Sequence, residues 1–207
     1  MPTTTKAPRA LTTVVLDTPL EEVLVAACDE GVCGLWYHDQ AHYGGTCTTE
    51  LLDVTRVAAD ELDAAASTSP AAAHLAQVRD WLARYFSGDK PAPDELDFCL
   101  RGTPFQEAVW AELRLIPYGE TTTYGELGRR VAARLGKERT SARATGGAVG
   151  RNPVNIIIPC HRVVGASGYL TGYDGGLPRK VALLTHEGVA LDGLRLARDS
   201  RPGARNA

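Results

Sequence analysis

Residues 155–164 constrain the fold most, because they join a compact apolar run to three reactive side chains in the order N-I-I-I-P-C-H-R-V-V. The three isoleucines predict a buried extended segment. Pro159 ends that segment because proline fixes φ and lacks a backbone donor. Cys160, His161 and Arg162 follow directly. An imidazole and a guanidinium beside a thiol favour the thiolate, so Cys160 is a candidate nucleophile.

A structural role for Cys160 is the alternative, because most free cysteines behave as small core hydrophobes. The contact between Cys160 and His161 is also open. Adjacent side chains of an extended segment point to opposite sides, so the imidazole could reach the sulfur directly or through a bridging water. The sequence supplies a candidate nucleophile, and the rest of the chain must indicate its target.

The composition predicts one or two compact domains, with 44% hydrophobic residues in 207. No apolar run approaches the roughly 20 residues that span a membrane, and the N-terminus lacks the apolar core of a signal peptide. Five cysteines form an odd set without a compact framework, which indicates a reducing compartment. We therefore expect a cytoplasmic protein without membrane association.

The charge is distributed unevenly along the chain. Residues 1–100 carry 6 Lys and Arg against 16 Asp and Glu, whereas residues 101–207 carry 16 against 9. This asymmetry predicts two domains and an anionic partner for the second. Residues 129–151 contain seven basic side chains and one acid. A nucleic acid backbone is the favoured partner of this stretch, and a solvated helix face is the alternative.

The first half predicts a small α/β domain of antiparallel strands against a helix. A helix is indicated between the N-cap Ser69 and the terminating Gly88. Residues 39–68 are polar and irregular, with one short helix at most, and residues 96–100 predict a further strand. The other apolar runs predict strands at residues 11–16, 23–28 and 32–37.

A zinc site in this half is a weaker hypothesis. Its candidate ligands are Cys28, Cys33, His38, His42 and Cys47, which lack the paired C-x-x-C spacing of structural zinc sites. Structural or incidental roles are favoured for these side chains, and we predict no metal.

Capping motifs predict three helices in the second half, over residues 103–115, 123–135 and 140–150. The first two open on T-P-F-Q and T-Y-G-E, and Thr140 or Ser141 caps the third. Two short helices joined by about five residues, with positive charge around the second, are typical of a helix-turn-helix.

The third helix is rich in small residues, including adjacent glycines at 146 and 147. Each glycine costs a helix about 1 kcal/mol relative to Ala, and its usual benefit is the close approach of another surface. A smooth helix suits the narrow minor groove of DNA. Close packing on a neighbouring helix is the alternative.

Two features after the nucleophile segment complete the candidate site. The glycine-dense loop at residues 172–176 contains one aromatic and predicts a pocket wall or lid. Pro178 opens a last helix that ends near Gly188, with Glu187 at its tip. A carboxylate there is disfavoured by the helix dipole, so Glu187 requires a partner such as a protonatable histidine.

These motifs together resemble the O6-alkylguanine-DNA alkyltransferases. They comprise I-P-C-H-R-V-V-G with N-P-V before it, Y-x-G-G, L-L-x-H-E-G and F-Q-x-x-V-W-x-x-L-x-x-I-P-Y-G-E-T. The resemblance covers about residues 11–190 and is most specific in the second half. It implies an α+β fold, with a ribonuclease H-like domain at 1–100 and a winged-helix-like domain at 101–195. Flexible tails are expected at 1–10 and 196–207.

The resemblance also implies a reaction, which is irreversible transfer of an alkyl group from guanine in DNA to Cys160 without a cofactor. His161 would act as base through a water, and Glu187 would orient it. Asn152 would be the hinge between the recognition helix and the nucleophile. Tyr124 would contact the phosphate beside the target nucleotide and donate to the departing guanine.

The family implies base flipping and assigns the remaining site residues. Arg143 would fill the stack after the nucleotide leaves it. The helix would present Ala144, Gly146, Gly147 and Ala148 to double-stranded DNA containing O6-alkylguanine, with the protein bound as a monomer. O4-alkylthymine is a possible second substrate. The base pocket would be lined by Val149, Val163, Tyr173, Asp174 and Gly175, and backbone carbonyls of Cys160 and Val163 would bind the guanine amino group.

Two departures from the family pattern affect these expectations. Asp174 stands where the family often has a small or hydroxyl-bearing residue, so its charge could repel the leaving anion or its backbone N–H could act as the donor. The segment 127–141 is longer than usual in the family and adds basic side chains.

Two other functions stay open, namely a non-catalytic damage sensor that binds DNA and a Cys–His hydrolase that regenerates its thiol.

Overall fold

The computed structural model describes residues 9–47, 50–52, 54–166, 168–170, 172–192 and 194–196. The first half of the chain contains one sheet, built from β1 (Leu11–Leu16), β2 (Val23–Cys28), β3 (Gly31–Tyr37) and β4 (Val54–Arg56). The strand order is β3-β2-β1-β4, in which β4 runs parallel to β1 and the other pairs are antiparallel. The three predicted strands and their antiparallel pairing are confirmed.

Two helices accompany this sheet, α1 (Leu62–Ala66) and α2 (Pro70–Ser87). The predicted limits of α2 are confirmed, because the Ser69 side chain accepts the Ala72 N–H and Gly88 adopts a left-handed φ of 97°. Its apolar face is buried against β1, β2 and β3. Tyr85, near the end of this face, points toward the second half of the chain.

The second half is mainly helical, with α3 (Pro104–Arg114), α4 (Tyr124–Arg134), α5 (Ala142–Val149) and α6 (Leu177–His186). Side chains of Thr103, Thr123 and Ser141 cap α3, α4 and α5 as the sequence predicts. Thr140, the other candidate cap of α5, instead donates to the carbonyl of Gly128 at 2.9 Å.

Two short parallel strand pairs position the second half around the nucleophile. They pair β5 (Thr122–Thr123) with β6 (Val163–Val164), and β7 (Tyr169–Leu170) with β8 (Arg195–Leu196). Because β5 directly precedes α4 and β6 directly follows the Cys-His-Arg segment, this pairing brings the start of α4 beside the candidate site.

Two predictions for the first half are wrong. Residues 96–100 do not form a strand, and only Phe98 makes an isolated bridge with Val32. Residues 39–68 contain β4 in addition to short helices. Strand β4 is only three residues long and largely exposed. Its sequence is therefore too short to show the hydrophobic pattern that predicts a strand.

The isoleucine run is buried as predicted, but it is not extended. Residues 155–157 form a turn that a bend at Ile158 follows, and Ile156 has a φ of 67°. The left-handed region is unusual for a β-branched residue, so the surrounding structure must impose this conformation. Complete burial of the three isoleucines supplies that constraint.

One continuous hydrophobic cluster extends from Val14 in the first half to Leu183 in the second. The division into domains at residue 100 therefore stays a prediction. Most of the two predicted tails, residues 1–8 and 197–207, lies outside the described residues. No helix within the described ranges combines the length and apolar character needed to cross a bilayer.

Candidate active site

Cys160 opens a one-turn 3-10 helix, Cys160–Arg162, and is 2% exposed. Two asparagines contact its sulfur from different sides. Asn152 Nδ2 donates to Sγ at 3.0 Å, and Sγ donates to Asn155 Oδ1 at 3.5 Å. The sulfur therefore has one neighbour that stabilises a thiolate and one that stabilises a thiol.

The prediction that its neighbours favour the Cys160 thiolate is wrong for the free protein. Burial raises the pKa of the Cys160 thiol to about 11, although the hydrogen bond from Asn152 and the nearby charge of Lys180 lower it. Arg162 does not provide the expected activation, because its guanidinium binds Glu187. Cys160 must therefore lose its proton to a base during any reaction at neutral pH.

Asn152 connects the end of α5 to the nucleophile turn. Its backbone N–H donates to the carbonyl of Val149 at 3.1 Å, while its side chain donates to the carbonyl of Ile158 at 2.7 Å and to the Cys160 sulfur. The side-chain oxygen accepts the N–H of Val154 at 3.2 Å. Asn152 thus occupies the position that the hinge role requires.

His161 and Glu187 are both buried and form the predicted pair. Nε2 of His161 donates to Oε1 of Glu187 at 2.8 Å. Burial lowers the pKa of His161 in spite of this carboxylate, so the imidazole is neutral near pH 7. Its Nδ1 is buried and makes no hydrogen bond with the described part of the chain. A neutral imidazole with an unbonded Nδ1 can accept a proton.

Glu187 has three further partners that the sequence did not indicate. Arg162 donates to both carboxylate oxygens at 2.9 Å, Tyr85 donates its hydroxyl to Oε1 at 2.8 Å, and the Gly119 N–H donates to Oε2 at 3.2 Å. Burial opposes ionisation, but the contacts of His161 and Arg162 hold the pKa of Glu187 well below its usual range. The carboxylate is therefore ionised and fixed in place.

Lys180 is a second buried cation that sequence reasoning missed. Its Nζ donates to the carbonyl of Val163 at 2.6 Å. Burial lowers the pKa of Lys180 to about 8, and its charge favours ionisation of Cys160. Lys180 lies in the first turn of the predicted last helix. The helical pattern alone does not determine whether a lysine there is buried, so the sequence gives no signal of this role.

Four of the predicted DNA-binding residues of α5 line one groove, whereas Gly146 faces the Tyr124 ring. A groove between the starts of α3 and α5 is lined by Arg143, Ala144, Gly147 and Ala148 together with Phe105, Gln106 and Arg151. Arg143 and Ala144 are exposed, whereas Ala148 is buried at the base of the groove. Tyr124 is half-buried beside this surface and donates its hydroxyl to the carbonyl of Gly172 at 3.2 Å.

Packing inside the protein does not require the two adjacent glycines of α5. A Cβ at Gly146 would lie 3.8 Å from the Tyr124 ring, and one at Gly147 would lie 3.6 Å from Arg151 Nη1. Both are ordinary van der Waals distances. The alternative that these glycines serve close packing on a neighbouring helix is therefore not supported.

Three of the predicted pocket residues are buried close to the nucleophile, namely Val149, Val163 and Tyr173. The Tyr173 ring meets His161 edge-on, with centroids 6.4 Å apart. Gly175 fits closely, because a Cβ there would lie 2.7 Å from the Tyr173 ring and 2.9 Å from that of Tyr37.

Asp174 directs its carboxylate toward the first half of the chain. It accepts hydrogen bonds from Gln40 Nε2 at 2.7 Å and from the His42 N–H at 3.2 Å, and it pairs with His42 Nδ1 at 2.6 Å. Its side chain is 3% exposed. These hydrogen bonds satisfy the Asp174 carboxylate, which stands where this chain departs from the family pattern.

The zinc hypothesis gains only a partial geometric basis. Sulfurs of Cys28, Cys33 and Cys99 lie within 4.8 Å of one another. This group, found among the described residues, has one ligand fewer than a structural zinc site uses. The Arg9 guanidinium contacts the sulfurs of Cys99 at 3.6 Å and Cys47 at 3.2 Å. This positive charge beside the cluster disfavours the binding of a zinc ion there.

Comparisons with known proteins relate the chain to one family. A sequence profile of the family described as "6-O-methylguanine DNA methyltransferase, DNA binding domain" matches residues 104–189. Among curated relatives, the methylated-DNA–protein-cysteine methyltransferase of Salmonella typhimurium is 50% identical over 114 residues, which cover 55% of this chain and 64% of the relative. The corresponding Mycobacterium tuberculosis protein is 54% identical over 109 residues, covering 52% and 62%. The matched segment therefore spans less than two thirds of these relatives.

Solved structures match over a greater length. The M. tuberculosis OGT crystallised in complex with DNA has a TM-score of 0.66 and 35% identity, covering 85% of this chain and 92% of that one. A structure titled M. tuberculosis O6-methylguanine methyltransferase has a TM-score of 0.64 at 35% identity, covering 86% and 92%. On this evidence the chain belongs to the O6-methylguanine-DNA methyltransferase family.

Proposed function

We propose that this protein repairs DNA by transferring an alkyl group from O6-alkylguanine to Cys160. The observation that carries the proposal is a buried thiol that contacts an amide donor and directly precedes His161, a neutral imidazole hydrogen-bonded to an ionised carboxylate. This set of groups can take a proton from sulfur and support the resulting thiolate.

The transfer balances between the thiol and the damaged base. A bond forms between Sγ of Cys160 and the alkyl carbon as the bond between that carbon and guanine O6 breaks. The thiol proton passes to His161, directly or through a water, and Glu187 stabilises the imidazolium. The departing guanine anion accepts a hydrogen bond or a proton from Tyr124. Whichever of these two groups is left deprotonated takes a proton from solvent, to which the His161 imidazolium releases the thiol proton. Overall, the thiol proton replaces the alkyl group on the base, so the proposal includes no cofactor.

Burial of the sulfur supports a mechanism in which the target base is flipped out of the duplex. Cys160 is 2% exposed, and an O6-alkyl group inside a duplex cannot reach it. Extruding the nucleotide costs a few kcal/mol, and less for a weakened pair. We assign Arg143 to fill the vacated stack, because its side chain is exposed on α5. Val149, Val163, Tyr173 and Gly175 would surround the flipped base.

Double-stranded DNA is the proposed partner, bound by a monomer. The helices α4 and α5 would act as a helix-turn-helix within a winged-helix-like domain, beside a ribonuclease H-like first half. Support for minor-groove binding by α5 comes from Gly146 and Gly147, which the packing of the protein does not require.

A mass measurement tests the proposal. Incubation with duplex DNA containing O6-methylguanine should add one methyl group per chain, mapped to Cys160, with no further turnover. Cys160→Ser should remain unmodified, and Cys99→Ser should react normally as the matched control. Repeated turnover would indicate a hydrolase, and tight binding without modification would indicate a sensor. Duplexes with O4-methylthymine test the second substrate in the same way.

A further inference from the structure

A chain of hydrogen bonds leads from the Cys160 sulfur into the first half of the protein. Asn155 Oδ1 accepts from Cys160 Sγ at 3.5 Å, and Asn155 Nδ2 donates to Gln40 Oε1 at 2.6 Å. Both amide side chains are buried. Because Gln40 follows β3, only the Asn155 side chain separates a residue of the sheet half from the nucleophile.

The direction of each amide in this chain is fixed by its partners. Gln40 Oε1 also accepts the backbone N–H of Tyr37 at 2.8 Å, and Gln40 Nε2 donates to Asp174 Oδ2 at 2.7 Å. A backbone N–H can only donate and an ionised carboxylate can only accept. Gln40 must therefore turn its oxygen toward Asn155, which in turn presents its nitrogen to Gln40 and its oxygen to the sulfur.

The outer end of the chain is also secured. Asp174 binds His42 through both the backbone N–H and the ring Nδ1. The carboxylate is thus held by two residues of the segment after β3, while Tyr173 on one side of it contacts His161. The loop that carries Tyr173 and Asp174 is tied to the first half at the same point as Asn155.

We propose that Asn155 is a positioning residue for the Cys160 nucleophile, and that Gln40 and Asp174 hold its oxygen toward the sulfur. This inference deepens the proposed function, because it takes Cys160 to be the reacting group. Asn155 and Asn152 then act in opposite directions. The oxygen of Asn155 keeps the proton on sulfur in the free protein, and the nitrogen of Asn152 stabilises the thiolate after His161 has taken that proton.

Substitution of Asn155 leaves the other titratable groups around Cys160 in place. Lys180 of α6 favours the thiolate, and Asp174 disfavours it. The hydroxyls of Tyr37 on β3 and Tyr173 lie close enough to interact with the Cys160 charge, and burial raises the pKa of each. His161 is neutral. Removing the Asn155 amide therefore changes one dipole at the sulfur without removing a charge.

The experiment measures the Cys160 thiol pKa from the pH dependence of its alkylation by iodoacetamide, quantified by peptide mass. Asn155→Ala should lower that pKa by about half a pH unit or more, because the thiol loses its acceptor. Gln40→Ala should shift it in the same direction without touching the sulfur. Asn152→Ala should raise it. Ser69→Ala, which removes the N-cap hydrogen bond to the Ala72 N–H at the end of α2 opposite Tyr85, should leave it unchanged.

Alkyl transfer from O6-methylguanine provides the second readout. The pH–rate profile of Asn155→Ala should shift toward lower pH by the same amount as the thiol pKa. An unchanged or raised thiol pKa in Asn155→Ala would overturn the proposal, and Gln40→Ala decides in the same way if the first variant does not fold. Failure of the wild-type protein to accept a methyl group would instead refute the proposed function, while the iodoacetamide titration still measures the effect of Asn155.

Discussion

The hydroxyl of Tyr85 donates a hydrogen bond to Oε1 of Glu187 at 2.8 Å, although 102 residues separate the two along the chain. Tyr85 belongs to α2, which packs on the sheet, and Glu187 ends α6 in the helical half. The same carboxylate oxygen accepts from His161. The first half of the chain therefore contributes directly to the geometry of the proposed base.

Tyr85→Phe should slow methyl transfer severalfold and lower the free energy of unfolding by about 1.5–3 kcal/mol, because one buried hydrogen bond to a charged group is lost. Single-turnover rates and denaturant unfolding measure the two effects. Tyr118→Phe is a matched control, since its hydroxyl donates to the His186 carbonyl at 3.2 Å rather than to Glu187. Equal rates for wild type and Tyr85→Phe would show that this bond does not position Glu187.

Arg162→Met should destabilise the fold by about 3–5 kcal/mol, because it leaves Glu187 buried with its charge only partly compensated. Arg114→Met should cost about 1 kcal/mol or less, because Arg114 pairs with Asp94 at the surface. Urea unfolding of both variants near neutral pH gives the comparison. Similar losses in the two variants would contradict the assigned importance of the buried pair.

The pH dependence of stability should follow the ionisation of Glu187. Its folded pKa lies below the unfolded value of about 4.3, so its contribution is complete above that pH and is lost as pH falls toward the folded pKa. In Arg162→Met the folded pKa rises toward the unfolded value, so the loss should still begin near the unfolded pKa but be smaller and be complete at a higher pH. Unfolding free energies across the acid range test this, and parallel curves would refute it.

Gly147→Ala should change stability and DNA binding in opposite directions. The added Cβ lies at an ordinary van der Waals distance of 3.6 Å from Arg151 Nη1, so the helix gains up to about 1 kcal/mol from the better propensity of Ala. The same methyl group would obstruct close approach of a minor groove and weaken binding to duplex DNA. Thermal unfolding and fluorescence anisotropy measure the two effects, and unchanged affinity would remove the role assigned to this face of α5.

The basic residues between α4 and α5 should contribute unequally to DNA affinity. Arg134, Lys137 and Arg139 are all exposed, but the Arg134 guanidinium is held in an ion pair with Glu112 at 2.7 Å. Replacing Lys137 and Arg139 by Ala should each reduce the slope of log affinity against log salt by about 0.9, and Arg134→Ala should reduce it less. Unchanged affinity in the triple variant would exclude a contribution of this segment to backbone binding.

Local sequence signals were sufficient for the elements whose ends are marked by capping chemistry. Ser69 and Gly88 defined α2, and Thr103, Thr123 and Ser141 defined the starts of α3 to α5. Cys160, His161 and Glu187 were identified in the sequence, and the structure brings them together. These predictions rest on interactions within a few residues, which a sequence displays directly.

Long-range partners could not be predicted in the same way. Arg162 was expected to activate Cys160, but the fold directs it to Glu187, which is 25 residues away. Gln40 and Tyr85 lie in ordinary strand-end and helical patterns, and only tertiary packing brings them to the site. The thiol pKa was predicted in the wrong direction for a related reason, because burial depends on the whole core.

The left-handed backbone of Ile156 has a consequence for how the protein would fail under heat. The turn before Cys160 adopts a conformation that its own sequence disfavours, and the surrounding core supplies the constraint. A modest loosening of that core would let the turn relax to a common conformation and move the sulfur away from Asn152. Inactivation should therefore precede global unfolding on gentle warming, and the protein would lose its chemistry while most of its helices are still intact.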